Sequence, residues 1–411
     1  MTTMADDMLN LEPASLEALS RQLGEPGWAL EARRAAQEAF AALPFPERTE
    51  EAWRRTPPEL FNPQGRGIVR LTPAFDLLGE GEPEEPVGLP FEKGLARLGQ
   101  VPESLGPSGS RLQEKFSALN AAFRSGGAWV GLPRGRSLDR PLQITHQVPT
   151  IQAPAAFFPH SRIVGERHSK ATVVESFASQ GGDLLAAPVV EIQLEEGACL
   201  QYVLVSRWGE GTRALTHLDV RLARNSQLRV LFLGVGGATT KAFLTGNLDG
   251  EGAKSEFLGL VFASGQQHFD VDTLQNHHVP AGNSDVLFNC ALNESSRSIF
   301  TGNIFVAPGA QKTDAYQKNR NLLLSGKAHA DSIPKLEILA NDVRCTHGAT
   351  FTTYDQDQQF YLQSRGLPDA DARRLIITGF FQEVIERLEG PVLVEWLAGL
   401  MQEKMETSLG V

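Results

Sequence analysis

Few residues in this sequence combine the type and the spacing that chemistry needs. The most suggestive are Cys345, Thr346 and His347. On an extended strand residues i and i+2 face the same side, so the triplet predicts a thiol and an imidazole side by side. Such a pair offers two soft or borderline ligands for iron or zinc. Two ligands do not close a site, so a partner or another segment would have to complete it. Taken alone, the triplet suits a buried thiol beside a hydrogen-bonded imidazole better than a metal site. The adjacent His277 and His278 would point to opposite faces of a strand and read as surface or turn histidines. Cys199, in GACLQYV, and Cys290, in LFNCALN, read as small buried hydrophobes.

Nucleotide and hydrolase signatures fail. In GVGGATTK, Gly234 to Lys241, Thr239 stands where a phosphate loop requires its second glycine, and Thr240 and Lys241 follow. Those glycines read as a turn between coils. HExxH, GxSxG and the dinucleotide-binding glycine set do not occur. The chain is therefore expected to be no enzyme, with no tightly bound cofactor of its own.

The elements that must position these residues follow from pattern and composition. Across 411 residues, 38 basic and 49 acidic side chains leave a net charge of −11. An acidic surplus argues against gripping nucleic acid. No apolar run approaches the ~20 residues of a membrane span. Met1 to Asn10 has neither the basic start nor the apolar core of a secretory signal. Three distant cysteines form no CxxC and no disulfide framework, which predicts a reducing, cytoplasmic setting.

Up to residue 125 the text reads as helices joined by Pro-rich loops. Leu16–Leu23, Trp28–Leu43 and Leu112–Arg124 carry apolar residues at three- and four-residue spacing, and Glu80–Pro90 reads as an exposed acidic loop. From 126 to 365, short runs of Val, Ile, Leu, Phe and Thr alternate with Gly, Asn, Asp and Ser. Turn-like points at Ser169, Gly197, Asn225, Gly252, Gly282 and Gly309 are separated by 28, 28, 27, 30 and 27 residues. A strand-rich period near 28 fits one coil of a parallel β-helix, and a propeller blade needs ~40–50 residues. An ordinary β-sandwich is the alternative. A carbohydrate-binding or enzymatic β-helix would need clustered carboxylates and stacking aromatics. The 4 Tyr and 5 Trp show no repeating placement. From 366 to 411 two helices are expected, broken at Gly390–Pro391. The first has apolar residues on more than one face: Leu375, Phe380, Val384 and Leu388, but also Ile377, Phe381 and Ile385. One stripe can pack on the chain, and the surplus predicts a partner surface or burial on both sides.

The stretch Thr301 to Arg365 resembles the SufB/SufD family of iron–sulfur cluster assembly proteins. The resemblance is carried by NRNLLLS (Asn319 to Ser325), PKLEI (Pro334 to Ile338), CTHGAT and FYLQSRGL. Trp53-Arg54-Arg55-Thr56 resembles the family's WR-x-T element. Gly348, where SufB typically has an acidic residue, and Leu362, where SufB commonly has Cys, favour the SufD branch over a SufB-like cluster scaffold. The resemblance implies a mainly β protein, with a helical N-terminal domain (1–125), a right-handed parallel β-helix (126–365) and a helical C-terminal domain (366–411). It implies a non-ATPase scaffold subunit in a cytosolic complex with SufB and two copies of the ATPase SufC. SufB would join through the β-helix edges. SufC would dock on the C-terminal helices, through Leu375, Phe380, Phe381, Val384, Ile385 and Leu388. Cys345 and His347 would lie at the SufB contact, with iron or a nascent cluster shared there transiently. FADH2 association belongs to the family complex, although no flavin motif stands in this sequence. A self-contained homodimer is the remaining alternative.

Overall fold

In the computed structural model, residues 11–79, 87–98 and 114–409 are described. Met1–Asn10, residues 80–86 of the acidic loop, and Leu112 and Gln113 lie outside them. Between Ala128 and Thr353 the chain winds through eight coils, and each coil gives one strand to each of two sheets. Neighbouring coils pair in parallel. Cys199 pairs with Gln227, Gln227 with Lys254, Lys254 with Asn283, Asn283 with Asp314 and Asp314 with Arg344. The spacing read from the text is thus the rise of one coil.

The turns explain the period. His168, Gly197, Asn225, Gly252, Ala281 and Lys312 all take positive φ, between 55° and 73°. Glycine and asparagine adopt this left-handed conformation at little cost, which is why Gly197, Asn225 and Gly252 stood out in the sequence. Gly282 and Gly309 stand beside or near the left-handed residue rather than occupying it.

Strand alternation fills the interior. Leu200, Tyr202 and Leu204, then Val230 and Phe232, then Val286, Phe288 and Cys290 point inward and stack into one continuous core. One charged group sits within it. The Glu175 carboxylate accepts hydrogen bonds from Tyr202 (2.7 Å) and Ser161, and lies 2.8 Å from His146 Nε2. All four residues are buried.

Helices cover the outer faces. They are α1 (Pro13–Leu23), α2 (Gly27–Ala42), α3 (Phe91–Leu98), α4 (Lys115–Phe123), α5 (Gln356–Ser364), α6 (Asp369–Ile385) and α7 (Pro391–Leu409). Leu16 and Leu19 of α1 and Phe116 and Leu119 of α4 pack with Phe158, Leu185 and Leu215 of the first sheet. Helices α6 and α7 lie on the second sheet, where Ile377, Phe381, Val384, Leu393 and Leu397 meet Val203, Leu231, Leu258 and Leu287. Three details depart from the sequence reading. Gly88–Pro90, read as the end of the exposed acidic loop, pairs as a strand with Ala128–Val130, with Gly88 buried. Helix α3 follows the acidic loop, with Gly94 pressed so close to the Trp129 ring that an added Cβ would lie 2.3 Å from it. The last strand ends at Thr353, so α5 falls inside the stretch read as solenoid. No helix among the described residues is long and apolar enough to cross a membrane.

Acid should loosen this fold from three places, one of them His268, which burial and the Arg297 and Lys241 charges hold down at about 4. Burial, with a smaller contribution from His278, holds His277 down at about 4. Burial would raise Glu25, but Arg124 and Arg33 hold it at about 2. Glu25 lies 2.7 Å from Arg33 and 3.1 Å from Arg124. A histidine kept neutral binds fewer protons folded than unfolded, so its contribution falls as pH drops from the unfolded value near 6.5 towards 4. The Glu25 contribution is present above about 4.5 and disappears towards 2. Urea titrations across this range should show stability decreasing on acidification, by on the order of 3 kcal/mol from His277 alone. In His277→Gln the pH 6.5 to 4 part of that slope should shrink to the share that His268 leaves, and an unchanged slope would contradict the assignment.

Candidate functional site at the open end of the solenoid

The two ends of the stack differ. At the N-terminal end, Ala74–Leu77 and Gly88–Pro90 run antiparallel along the first strands of the two sheets and occupy their edges. At the other end, His329–Ile338 and Arg344–Thr353 each pair on one side only. The N–H groups of Arg344 and Tyr354 donate to the preceding coil, so strand alternation turns the backbone of Cys345, His347, Ala349 and Phe351 to the free edge. On the other strand, His329 and Leu339 donate to the preceding coil, which places Ala330, Ser332, Pro334 and Leu336 at the free edge. Pro334 has no N–H to offer there.

Cys345 and His347 stand opposite Ala315 and Gln317, both buried inward-facing residues of the previous coil. The structure therefore brings thiol and imidazole to the same side of one edge strand, as their spacing predicts. Cys345 is half-buried against Ala310, Ala315 and Ala340, and His347 is exposed. Burial and the Asp314 charge push the Cys345 thiol upward. The neighbouring Arg344 is paired with Asp314. Among the described residues no cation activates this thiol, so a metal or partner would have to displace its proton. Among the described residues no group of three or more His, Cys, Asp or Glu side chains could hold a metal ion. The pair remains a half-site.

The last coil and the helix that follows it carry exposed apolar side chains. Phe351 and Leu339 are each 51% exposed, and Phe360 and Tyr361 of α5 reach 70% and 57%. Inward positions of a last coil have no next coil to cover them. The sequence reading missed Phe351 because an apolar residue on a repeat strand reads as core. The one available signal was that no further repeat follows.

The C-terminal helices divide the six residues read as a partner surface. Phe381, Val384 and Leu388 are buried in the cluster they form with the second sheet, so that part of the expectation is corrected. The outer face of this sheet is itself apolar, and covering it takes the main stripe of α6. Leu375 is exposed, and Phe380 and Ile385 are half-buried. Leu375 and Ile385 line an open groove of ≈ 520 Å³ with Leu367, Met401 and Met405. Ion pairs seat the helix: Glu383 with Lys318 and Arg320, and Arg387 with Glu256 and Asp285.

The remaining candidates resolve as structural groups. Lys241, at the end of GVGGATTK, is fully buried against Asp270 and Asp272, at 2.9 and 2.7 Å. His277 is buried rather than at the surface, 2.8 Å from the Ser284 hydroxyl, while His278 faces outward to Asp249. Cys290 is buried and Cys199 only half-buried.

Comparison with known proteins agrees with this layout. A family model described as SUF system FeS cluster assembly, SufBD core domain, matches residues 148–380, more than half of the chain. An iron-sulfur cluster assembly SufBD family protein of Mycobacterium tuberculosis is 30% identical over 373 residues, 89% of this chain and 90% of that protein. One from Synechocystis is 30% identical over 284 residues, covering 67% of this chain and 63% of its own length. The iron-sulfur cluster assembly protein SufD of Bacillus subtilis is 29% identical over 297 residues, 72% of this chain and 68% of that one. With the two-sheeted solenoid, its open end and these matches together, the chain belongs to the SufB/SufD family of iron–sulfur cluster assembly proteins.

Proposed function

We propose that this chain is a non-catalytic scaffold subunit of the SufD kind. It joins a SufB-type subunit edge to edge at the open end of its solenoid and presents Cys345 and His347 to the iron or nascent cluster assembled there. The observation that carries this reading is that free strand edges, the exposed Phe351, and a thiol and an imidazole of the kind that can ligate metal share the last coil. A free edge invites strand addition. An incomplete ligand pair makes chemical sense where a second subunit supplies the rest. Gly348, Leu362 and the likeness to Bacillus SufD support the SufD kind. The groove beside Leu375 and Ile385 is the surface we assign to an ATPase of the SufC type, which would supply nucleotide hydrolysis to the complex.

The test uses the assembled complex with SufB and SufC. His347→Ala is expected to reduce bound iron and acid-labile sulfide several-fold while the complex elutes intact. Cys345→Ala is expected to be milder, because that thiol also fills a packing position. Full cluster yield in both variants would remove the metal role, and loss of yield only through dissociation would make the residues structural. A chain that elutes as a homodimer and ignores SufB would instead support the self-contained scaffold.

A further inference from the structure

The Trp53–Thr56 element is not used by the assembly reading, yet it is among the best-anchored segments outside the stack. Trp53 is buried against Phe61, Phe116 and Phe243, with ring centroids 5.5 to 6.0 Å away. The Thr56 hydroxyl is completely buried and donates to the Asp270 carboxylate, and it lies 2.8 Å from His268 Nε2. With its proton directed at Asp270, the hydroxyl accepts from the imidazole N–H. Lys241 completes the anchor by pairing with Asp270 and Asp272 beneath the Trp53 ring. These groups belong to Thr239–Leu248 and His268–His277, neighbouring strands of the first sheet. Two strands further on lies the free edge His329–Ile338. There Glu51 meets Lys335 at 2.7 Å and Arg55 meets Asp331 at 3.8 Å.

We propose that Glu51–Thr56 is a clamp by which the N-terminal domain positions the free-edge strand His329–Ile338. Trp53 and Thr56 fix the clamp deep in the sheet, and Glu51 and Arg55 hold the edge. The two edge strands provide an internal comparison. Asp331 to Lys335 are half-buried, whereas most of Arg344–Thr353 is exposed. Among the described residues, Arg344–Thr353 makes no ion pair or side-chain hydrogen bond to a segment outside the stack. The consequence for assembly rests on the function proposed above, but the clamp itself does not.

Amide hydrogen exchange on the full chain, without partner, tests it. The informative amides are those of Asp331, Ile333, Lys335 and Glu337, which alternation turns to the preceding strand. In the double variant Glu51→Gln, Arg55→Gln, which removes one exposed and one half-buried charge, their exchange should accelerate roughly fivefold, the scale of two surface ion pairs. Thr56→Val, which releases the anchor, should accelerate it more than tenfold. Amides of Arg344–Thr353 should be unaffected in both. Unchanged exchange at residues 331–337 in both variants, or an equal rise in both edge strands, overturns the clamp. Affinity for the second subunit is then measured separately. Faster exchange with undiminished affinity would retain the clamp and remove this edge from the assembly reading.

Discussion

Glu175→Ala is expected to destabilise the protein by about 3–5 kcal/mol, the cost of breaking a buried charged network by removing one member. The carboxylate has no access to water, and Tyr202, Ser161 and His146 all converge on it. Its removal orphans three buried polar groups in a core built mainly from apolar side chains. Each unsatisfied group costs about 1–3 kcal/mol. Tyr202→Phe removes one donor and leaves the other two bonds intact, so about 1 kcal/mol is expected there. Burial, with the Glu175 charge and hydrogen bond adding to it, raises the Tyr202 phenol well above its ordinary value, so this hydroxyl stays a donor at any working pH. Chemical denaturation with equal m-values for wild type and variants provides the comparison. A loss below 1 kcal/mol for Glu175→Ala would mean the network contributes nothing beyond filling space.

Ala349→Pro is expected to weaken edge-to-edge assembly by about 100-fold while leaving the isolated chain folded. The N–H of Ala349 faces the free edge and serves no bond within the chain, so its loss costs the solenoid nothing. An incoming strand would lose that donor and meet the proline ring, a penalty of about 3 kcal/mol. The preceding residue is Gly348, which tolerates the restriction proline imposes on its neighbour. Pro334 already interrupts the donors of the other free edge, so the longer run of available groups is on Arg344–Thr353. Phe351→Asp tests the apolar part of the same surface and should also dissociate the complex, because a half-exposed aromatic at an interface centre is a common anchor. Size-exclusion chromatography with light scattering reads both. An Ala349→Pro chain that assembles with unchanged affinity would exclude this edge from the interface.

The architecture was legible because solenoid coils are local objects. The period near 28, the alternation of apolar residues and the turn residues Gly197, Asn225 and Gly252 each depend on neighbours within one coil. Their repetition announces stacking, since a single coil cannot bury its own inner face. The same-side placement of Cys345 and His347 was legible for the same reason, as a strand repeats every two residues whatever surrounds it.

Other features depended on segments that meet only after folding. Which face of α6 remains free was decided by the apolar outer surface of the second sheet, which claimed Phe381, Val384 and Leu388 and left Leu375 exposed. Helix α3 packs where Gly94 allows close approach to Trp129, a residue distant in sequence. The upward shift of the Cys345 thiol comes from burial and from Asp314, one coil away. Composition and alternation determine how a coil is built and that coils stack. The end of the stack, the faces that helices cover, and the side chains left there without a covering layer are set by contacts between distant parts of the chain, because burial belongs to the assembled surface and not to any one segment.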